Sequence, residues 1–290
     1  MTLVDIPSAA PAGSAAGDPA RLAAPKRVLM CRPEHFTVSY RINPWMHPTQ
    51  PTDTARALRQ WTDLRETYRR LGIDVELVAP RPGLPDMVYA ANGGFVLDGV
   101  ALGPRFRHVE RASEAPAYMG WFAERGLRVV EPTSYNEGEG DYLLVGDTIF
   151  AGTGFRSDRA SHAQLGRVFG REVVSLRLVD PRFYHLDTAF AVLDSAGGPR
   201  SVAYLPQAFD RASRRILADR FPDALTVSEA DATVLGLNCF SDGRNVVVAA
   251  QATGFARDLA AAGYVAHPVD LSELLRGGGG VKCCTLELRW

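Results

Sequence analysis

The sequence is poor in lysine and cysteine, carries almost no net charge and contains no long apolar run. Lys26 and Lys282 are the only lysines among 32 basic residues, and the formal net charge is -1. That balance leaves no cationic footprint for nucleic acid or an anionic membrane surface. The cysteines are Cys31, Cys239, Cys283 and Cys284. They form no C-x-x-C pair, which argues against a zinc site, and their scatter is not that of a disulfide framework. A reducing cytosol is the expected compartment. No stretch approaches the ~20 apolar residues that span a bilayer. Residues 1–25, rich in Ala, Pro and Gly, lack the basic start and continuous apolar stretch of a secretory signal and read as a disordered tail.

What is present is the composition of a globular protein: 290 residues, 46% hydrophobic and 22% charged, enough to bury a sizeable core. The remainder, 26–290, reads as one domain organised by a repeat. Residues 52–71 carry Leu58, Trp61, Leu64, Tyr68 and Leu71 at helical spacing, with Thr52 or Asp53 as N-cap. The helix stops at Gly72 and a strand follows. The same grammar returns at 115–125 before Gly126, at 157–169 before Gly170, at 210–221 before Pro222 and at 255–262 before Gly263. Glycine ends a helix because it adopts the left-handed C-cap at little cost. Between these units lie hairpins that turn at Asp98-Gly99, Gly146-Asp147, 195–199 and Asp242-Gly243.

A fifth hairpin is obtained if the strand 283–288 pairs with the strand starting at Arg27, which would close a ring and leave no open edge. The breakers recur at about 48 residues, a period that marks a repeated architecture. The expected fold is therefore α/β: a five-bladed α/β propeller of ββαβ repeats around a central axial site. A doubly wound α/β sheet would explain the alternation of helix and strand but not the hairpins.

The repeat says where to look for chemistry. The segment before the first strand of each hairpin should reach the axis at one level. Those places hold Asn92, Glu137 with Asp141, His185 with Asp187, the stretch from Asp231 to Asn238, and Cys283. Isolated charges in a confined site cost several kcal/mol unless paired or bound to a ligand, in the range of about 3–5 kcal/mol when one partner is missing. Singly, each residue has a bland reading: an inert buried cysteine, a satisfied structural histidine, carboxylates of a turn. Their common phase in the repeat favours a site in which Cys283 is a nucleophile and His185 an acid/base. The glycine run 277–280 would allow close backbone approach, and Lys282 could help hold a thiolate. Cys284, one residue on, would face the opposite side of the strand, in the core. Arg111 and Arg156 read equally as surface residues or as partners for a substrate carboxylate.

Asn43-Pro-Trp-Met, Glu137-Gly-Glu-Gly-Asp141, Gly154-Phe-Arg-Ser-Asp, Phe183-Tyr-His-Leu-Asp-Thr188 and the ending Lys-Cys283-Cys-Thr resemble the guanidino-group modifying superfamily, whose fold is the α/β-propeller pentein. The resemblance covers about 26–290 and is closest to the arginine dihydrolases, through Asn43-Pro-Trp-Met and the Asn at 92. It implies hydrolysis of L-arginine to L-ornithine, ammonia and CO2 through a thiouronium on Cys283, with His185 as acid/base. It further implies that Asp141, Asp187 and Glu137 hold the guanidinium, and that Arg111, Arg156 and Asn43 hold the amino-acid end. Asn92 would decide between one and two hydrolytic cycles. Neither a metal nor an organic cofactor is expected. The expected partner is a small molecule rather than nucleic acid or membrane, and a homo-oligomer is compatible with the sequence. Dimethylarginine dimethylaminohydrolases share the Cys-Cys pair and are the nearest alternative. Arginine deiminases follow, then amidinotransferases, then a non-catalytic ribosome-binding propeller, against which the presence of both Cys283 and His185 speaks.

Overall fold

The computed structural model describes residues 21–290. The tail expected at 1–25 lies outside them as far as residue 20. Residues 21–25 have no regular structure but are tied down: Arg21 donates to Ala262 O (3.0 Å) and lies over the Tyr264 ring, and Ala24 N–H donates to Asp242 O (2.7 Å).

The strands are β1 Arg27–Cys31, β2 Asp74–Val78, β3 Phe95–Leu97, β4 Val100–Leu102, β5 Arg128–Val130, β6 Tyr142–Val145, β7 Thr148–Thr153 and β8 Glu172–Arg177. They continue with β9 Phe190–Val192, β10 Val202–Tyr204, β11 Leu225–Thr226, β12 Phe240–Ser241, β13 Asn245–Ala249, β14 Val265–Val269 and β15 Leu286–Arg289. One pairing pattern recurs five times: two antiparallel strands, then a third strand parallel to the second. It joins β3-β4-β5, β6-β7-β8, β9-β10-β11, β12-β13-β14 and, across the ends of the chain, β15-β1-β2.

A helix links the second and third strand of each set: Thr54–Arg70, Ala115–Glu124, Arg159–Phe169, Arg211–Arg220 and Thr253–Ala261. Asp53 caps the first by accepting from Arg56 N–H (2.9 Å), one of the two caps expected there. At the other end Gly72 takes φ 77°, which frees the chain to turn into β2. Trp61, Leu64 and Tyr68 of this helix are buried against Val28, Met30, Phe240 and Val247.

The expected closure is corrected in one respect. β15 does pair with β1, but it also pairs with β3, so two sets merge into one open sheet, β2-β1-β15-β3-β4-β5, beside three sheets of three strands. Its outer strands β2 and β5 remain edges. A second correction concerns the last strand, which starts at Leu286. Cys283 and Cys284 lie in the preceding turn, so they do not alternate across a strand, and both pack in the same core cluster. The backbone there is spent within the turn: Cys284 N–H donates to Gly280 O (3.2 Å) and Thr285 N–H to Lys282 O (2.9 Å), so these amides are not offered to a ladder.

Candidate active site

Each set of strands is entered through a tight turn. Ala90–Gly93, Gly138–Gly140 and Leu186–Thr188 are single 3-10 turns, and residues 233–238 and 281–284 are turns before β12 and β15. These five turns bond to one another in a closed cycle. Ala91 N–H donates to Cys283 O (3.0 Å) and Asn92 Nδ2 to Glu137 O (3.3 Å). Leu186 N–H donates to Asp141 Oδ1 (3.1 Å) and Asn238 Nδ2 to Asp187 O (3.2 Å). Cys283 N–H then donates to Asn238 Oδ1 (3.0 Å).

Asn92, Glu137, Asp141, His185, Asp187 and Cys283 thus lie on one cycle of turns, each no more than 2% exposed. Asp231, by contrast, lies outside the cycle: it receives hydrogen bonds from Ser228 and from Gly254 N–H.

Within the cluster, Cys283 Sγ donates to Asp187 Oδ2 (3.4 Å) and receives a hydrogen bond from Asn238 Nδ2 (3.2 Å). Burial, then the Asp187 carboxylate, push the thiol well above its ordinary value. Burial also raises the Asp187 carboxyl to about 7, against the opposing pull of Lys282 and the hydrogen bonds from Cys283 and Asn238. Asp141 is raised to about 6 by burial, although Ser157 Oγ donates to its Oδ2 (2.6 Å).

Glu137 goes the other way. Burial alone would raise it, but Arg156, then the His185 hydrogen bond, hold it well below the carboxylate range. Arg156 Nη1 donates to Glu137 Oε2 (2.8 Å), His185 Nε2 lies 2.7 Å from the same oxygen, and Arg107 N–H donates to Oε1 (3.3 Å). An ionised Glu137 accepts, so Nε2 carries the proton and Nδ1 holds the imidazole's free position. His185 Nδ1 and Asp187 Oδ1 are buried without a partner, as is Asp86 Oδ1.

The arginines named from the sequence are buried rather than superficial. Arg111 donates from Nε and Nη2 to both oxygens of Glu114 (2.9 and 2.8 Å) and from Nη1 to Asn92 Oδ1 (2.6 Å). Arg156 also reaches Ile42 O (2.9 Å) and stacks on Tyr184. Asn43 donates to Gly277 O (3.0 Å) and accepts from Trp45 N–H (2.9 Å), which ties the segment 42–46 to the glycine run. A side chain on Gly279 would sit 2.3 Å from the Tyr89 ring, the close approach that the run was expected to serve.

Lys282 corrects its expectation. Its Nζ bonds Glu139 Oε2 (2.5 Å) and Thr285 O (3.1 Å), so a carboxylate, not the sulfur, takes its charge. Asn238 was reached from the sequence only as the end of the stretch 231–238, and Ser157, Asp86 and Glu114 were not singled out. Asn238 carried a signal in its place, since it lies just before β12 as Asp187 lies just before β9. Ser157 sits inside the quoted Gly154-Phe-Arg-Ser-Asp motif. Asp86 and Glu114 had none. Among the described residues no group of His, Cys, Asp or Glu is arranged to hold a metal ion.

A buried thiol between a carboxylate and an amide, with a carboxylate-held imidazole in the same cycle, invites comparison with known enzymes. The N-terminal domain of the cyanobacterial arginine dihydrolase ArgZ, a cysteine-to-serine variant bound to substrate, superposes with a TM-score of 0.86 at 38% identity over 91% of this chain and 98% of that one. A dimethylarginine dimethylaminohydrolase of Mycobacterium tuberculosis is 53% identical over 94% of this chain and 89% of its own length. The bifunctional arginine dihydrolase/ornithine cyclodeaminase ArgZ of Synechocystis is 40% identical over 90% of this chain, which spans 37% of that protein.

Fold and site therefore define a guanidino-group hydrolase of the pentein superfamily that uses a cysteine nucleophile. The model of the family described as N,N dimethylarginine dimethylhydrolase, eukaryotic, matches residues 32–290, and the chain belongs to that family.

Proposed function

We propose that the protein is an arginine dihydrolase that converts L-arginine to L-ornithine, ammonia and CO2 through a thiouronium on Cys283. We take its five strand sets to be the blades of an α/β propeller around this site. The observation that carries the reading is the set of buried acceptors without partners, His185 Nδ1, Asp187 Oδ1 and Asp86 Oδ1. Unpaired buried acceptors are costly, about 1–3 kcal/mol each, and a ligand rich in N–H donors relieves them. An arginine guanidinium offers five N–H donors and an α-ammonium more. Asymmetric dimethylation removes two of those donors and adds two methyl groups in a cluster whose members are at most 2% exposed.

In this mechanism the guanidinium lies against Asp187 and Asp141, and its positive charge favours the thiolate of Cys283. The thiol proton passes to the free His185 Nδ1, and sulfur attacks the guanidinium carbon. The C–N bond to a terminal nitrogen breaks, and His185 supplies the proton that ammonia carries away. Water then adds to the thiouronium carbon, His185 takes its proton, and the C–S bond breaks to give citrulline. Glu137, whose Oε2 is shared by Arg156 Nη1 and His185 Nε2, orients His185 instead of gripping the guanidinium. Arg111, Arg156 and Asn43 receive the amino-acid carboxylate, and Asp86 the ammonium. A second cycle on citrulline yields ornithine. Asn92 supports it, because an amide can donate to the neutral ureido oxygen and a carboxylate cannot. The four free cysteines fit a reducing, cytosolic compartment.

The second reading is hydrolysis of dimethylarginine to citrulline and dimethylamine, favoured by the 53% identity to the mycobacterial protein. Incubation with arginine and, separately, with asymmetric dimethylarginine, followed by amino-acid analysis, tests both. Ornithine and ammonia from arginine are expected, with Asn92→Asp arresting at citrulline. Accumulation of citrulline alone, from either substrate, overturns the dihydrolase reading.

A further inference from the structure

The Asn238 side chain uses all of its hydrogen-bonding capacity at the nucleophile turn. Its Oδ1 accepts from Gly280 N–H (3.1 Å) and Cys283 N–H (3.0 Å). Its Nδ2 donates to Asp187 O (3.2 Å) and to Cys283 Sγ (3.2 Å). The two backbone donors and the backbone acceptor fix which end of the amide is which, because the reversed amide would set N–H against N–H and oxygen against oxygen. The atom facing the sulfur is therefore a donor by construction. On its other side Cys283 Sγ meets Asp187 Oδ2 (3.4 Å). Sulfur thus lies between a fixed donor and a carboxylate, and only the donor favours the anion.

We propose that Asn238 is a catalytic residue that stabilises the Cys283 thiolate through its Nδ2–H. The same side chain clamps the turn through Oδ1, and the two roles are separable. Asn238→Asp retains an oxygen for the Gly280 and Cys283 amides but replaces the donor at sulfur with an anion. The Oδ1 contacts to Gly280 and Cys283 survive that exchange, whereas the donor to sulfur and to Asp187 O does not. Hydrogen bonds to a charged partner are about twice as strong as neutral ones, so the loss falls on the ionised thiol.

The inference rests on the reading of Cys283 as the nucleophile, and the test separates the two. Thiolate formation is followed by ultraviolet absorbance and by the pH dependence of iodoacetamide labelling at Cys283, in parallel with kcat and KM for arginine and for dimethylarginine. In Asn238→Asp the labelling midpoint is expected at least about one pH unit higher, with about tenfold or greater loss of kcat at neutral pH and little change in KM. An unchanged midpoint in a folded Asn238→Asp overturns the inference. In the wild-type protein the Asn238 side-chain amide resonance should shift with the same midpoint as the thiolate absorbance. Absence of that shift overturns the inference whether or not the variant folds. Full activity after complete labelling of Cys283 overturns instead the reading of the nucleophile.

Discussion

Two clusters of buried charge meet at residues 282 and 283 and are satisfied to different degrees. Cys283 belongs to the cluster that keeps His185 Nδ1 and Asp187 Oδ1 without partners. Lys282, one residue earlier, belongs to the other. There Lys282 Nζ bonds Glu139, Glu287 N–H donates to Glu139 Oε2 (2.8 Å), Arg289 bonds Glu139 and Glu287, and Lys26 donates to Glu287 (3.1 Å) and Ser195 Oγ (3.2 Å). None of its side chains is among the buried unpaired groups of the described residues. The complete network is scaffold. The incomplete one is what a cationic substrate would finish, and a folded protein carries such a deficit only where the rest of the structure holds it in place.

The largest expected effect separates the clusters by activity. Cys283→Ser keeps the side chain's size and its place between Asn238 and Asp187 but supplies a weak nucleophile. Turnover of the substrate should fall by at least about 10³-fold. The melting temperature should stay near that of the wild type. Retained turnover would remove Cys283 from the chemistry and dissolve the distinction between the clusters.

Lys282→Met tests the same contrast from the paired side. The lysine is 6% exposed at its side chain and its Glu139 partner fully buried, so removal leaves a carboxylate short of one cation. A loss of about 3–5 kcal/mol is expected in denaturant unfolding. Arg289 stays with Glu139 and should hold the loss toward the lower end. If stability is unchanged, the network is not the scaffold described above.

Asp187→Asn should do the reverse and stabilise. The folded protein holds the Asp187 carboxyl at about 7 against an ordinary 3.8. Between those values the native state binds a proton that the unfolded state has released, so stability falls as pH rises through this window and the full deficit is present above it. The amide removes the deficit. Unfolding at pH 8 should therefore cost on the order of 2–4 kcal/mol more in the variant than in the wild type, with little difference at pH 4 and with activity lost. Equal stability of the two proteins at pH 8 would show that the incomplete cluster stores nothing.

The contrast was only half legible in the sequence. The periodic breakers and Asp-Gly turns disclose the strand sets because local backbone chemistry dictates both. The Asp98-Gly99 turn, for instance, takes φ 51° and 74° as such a dipeptide requires. The common phase of His185 and Cys283 is legible for the same reason. Partnership is not. Lys282 finds Glu139 at a separation of 143 residues, and nothing near Lys282 announces that it turns from the adjacent sulfur. Asn238 hides differently: an asparagine before a strand is ordinary turn chemistry until the structure shows all of its atoms spent on one loop. The merger of two sets through β15 and β3 depends on the register of the chain's ends, which no local pattern records.

The smallest effect is expected where charge is not buried at all. Arg171 joins the turns of two neighbouring hairpins by bonding Asp147 and Asp98, yet the side chains of Asp147 and Asp98 are 89% and 66% exposed. Water solvates these carboxylates almost as well in the folded state as in the unfolded one, and salt screens what attraction remains. Asp147→Asn should change unfolding stability by less than about 1 kcal/mol, and that difference should shrink further when salt is raised. The position is informative because Gly146 N–H donates to Ser195 O (2.8 Å) and pins the same turn to the next hairpin through backbone alone. A larger, salt-sensitive loss would mean that exposed pairs between turns help hold the strand sets together. The comparison of complete and incomplete clusters would then have to be extended from the buried turns to the rim.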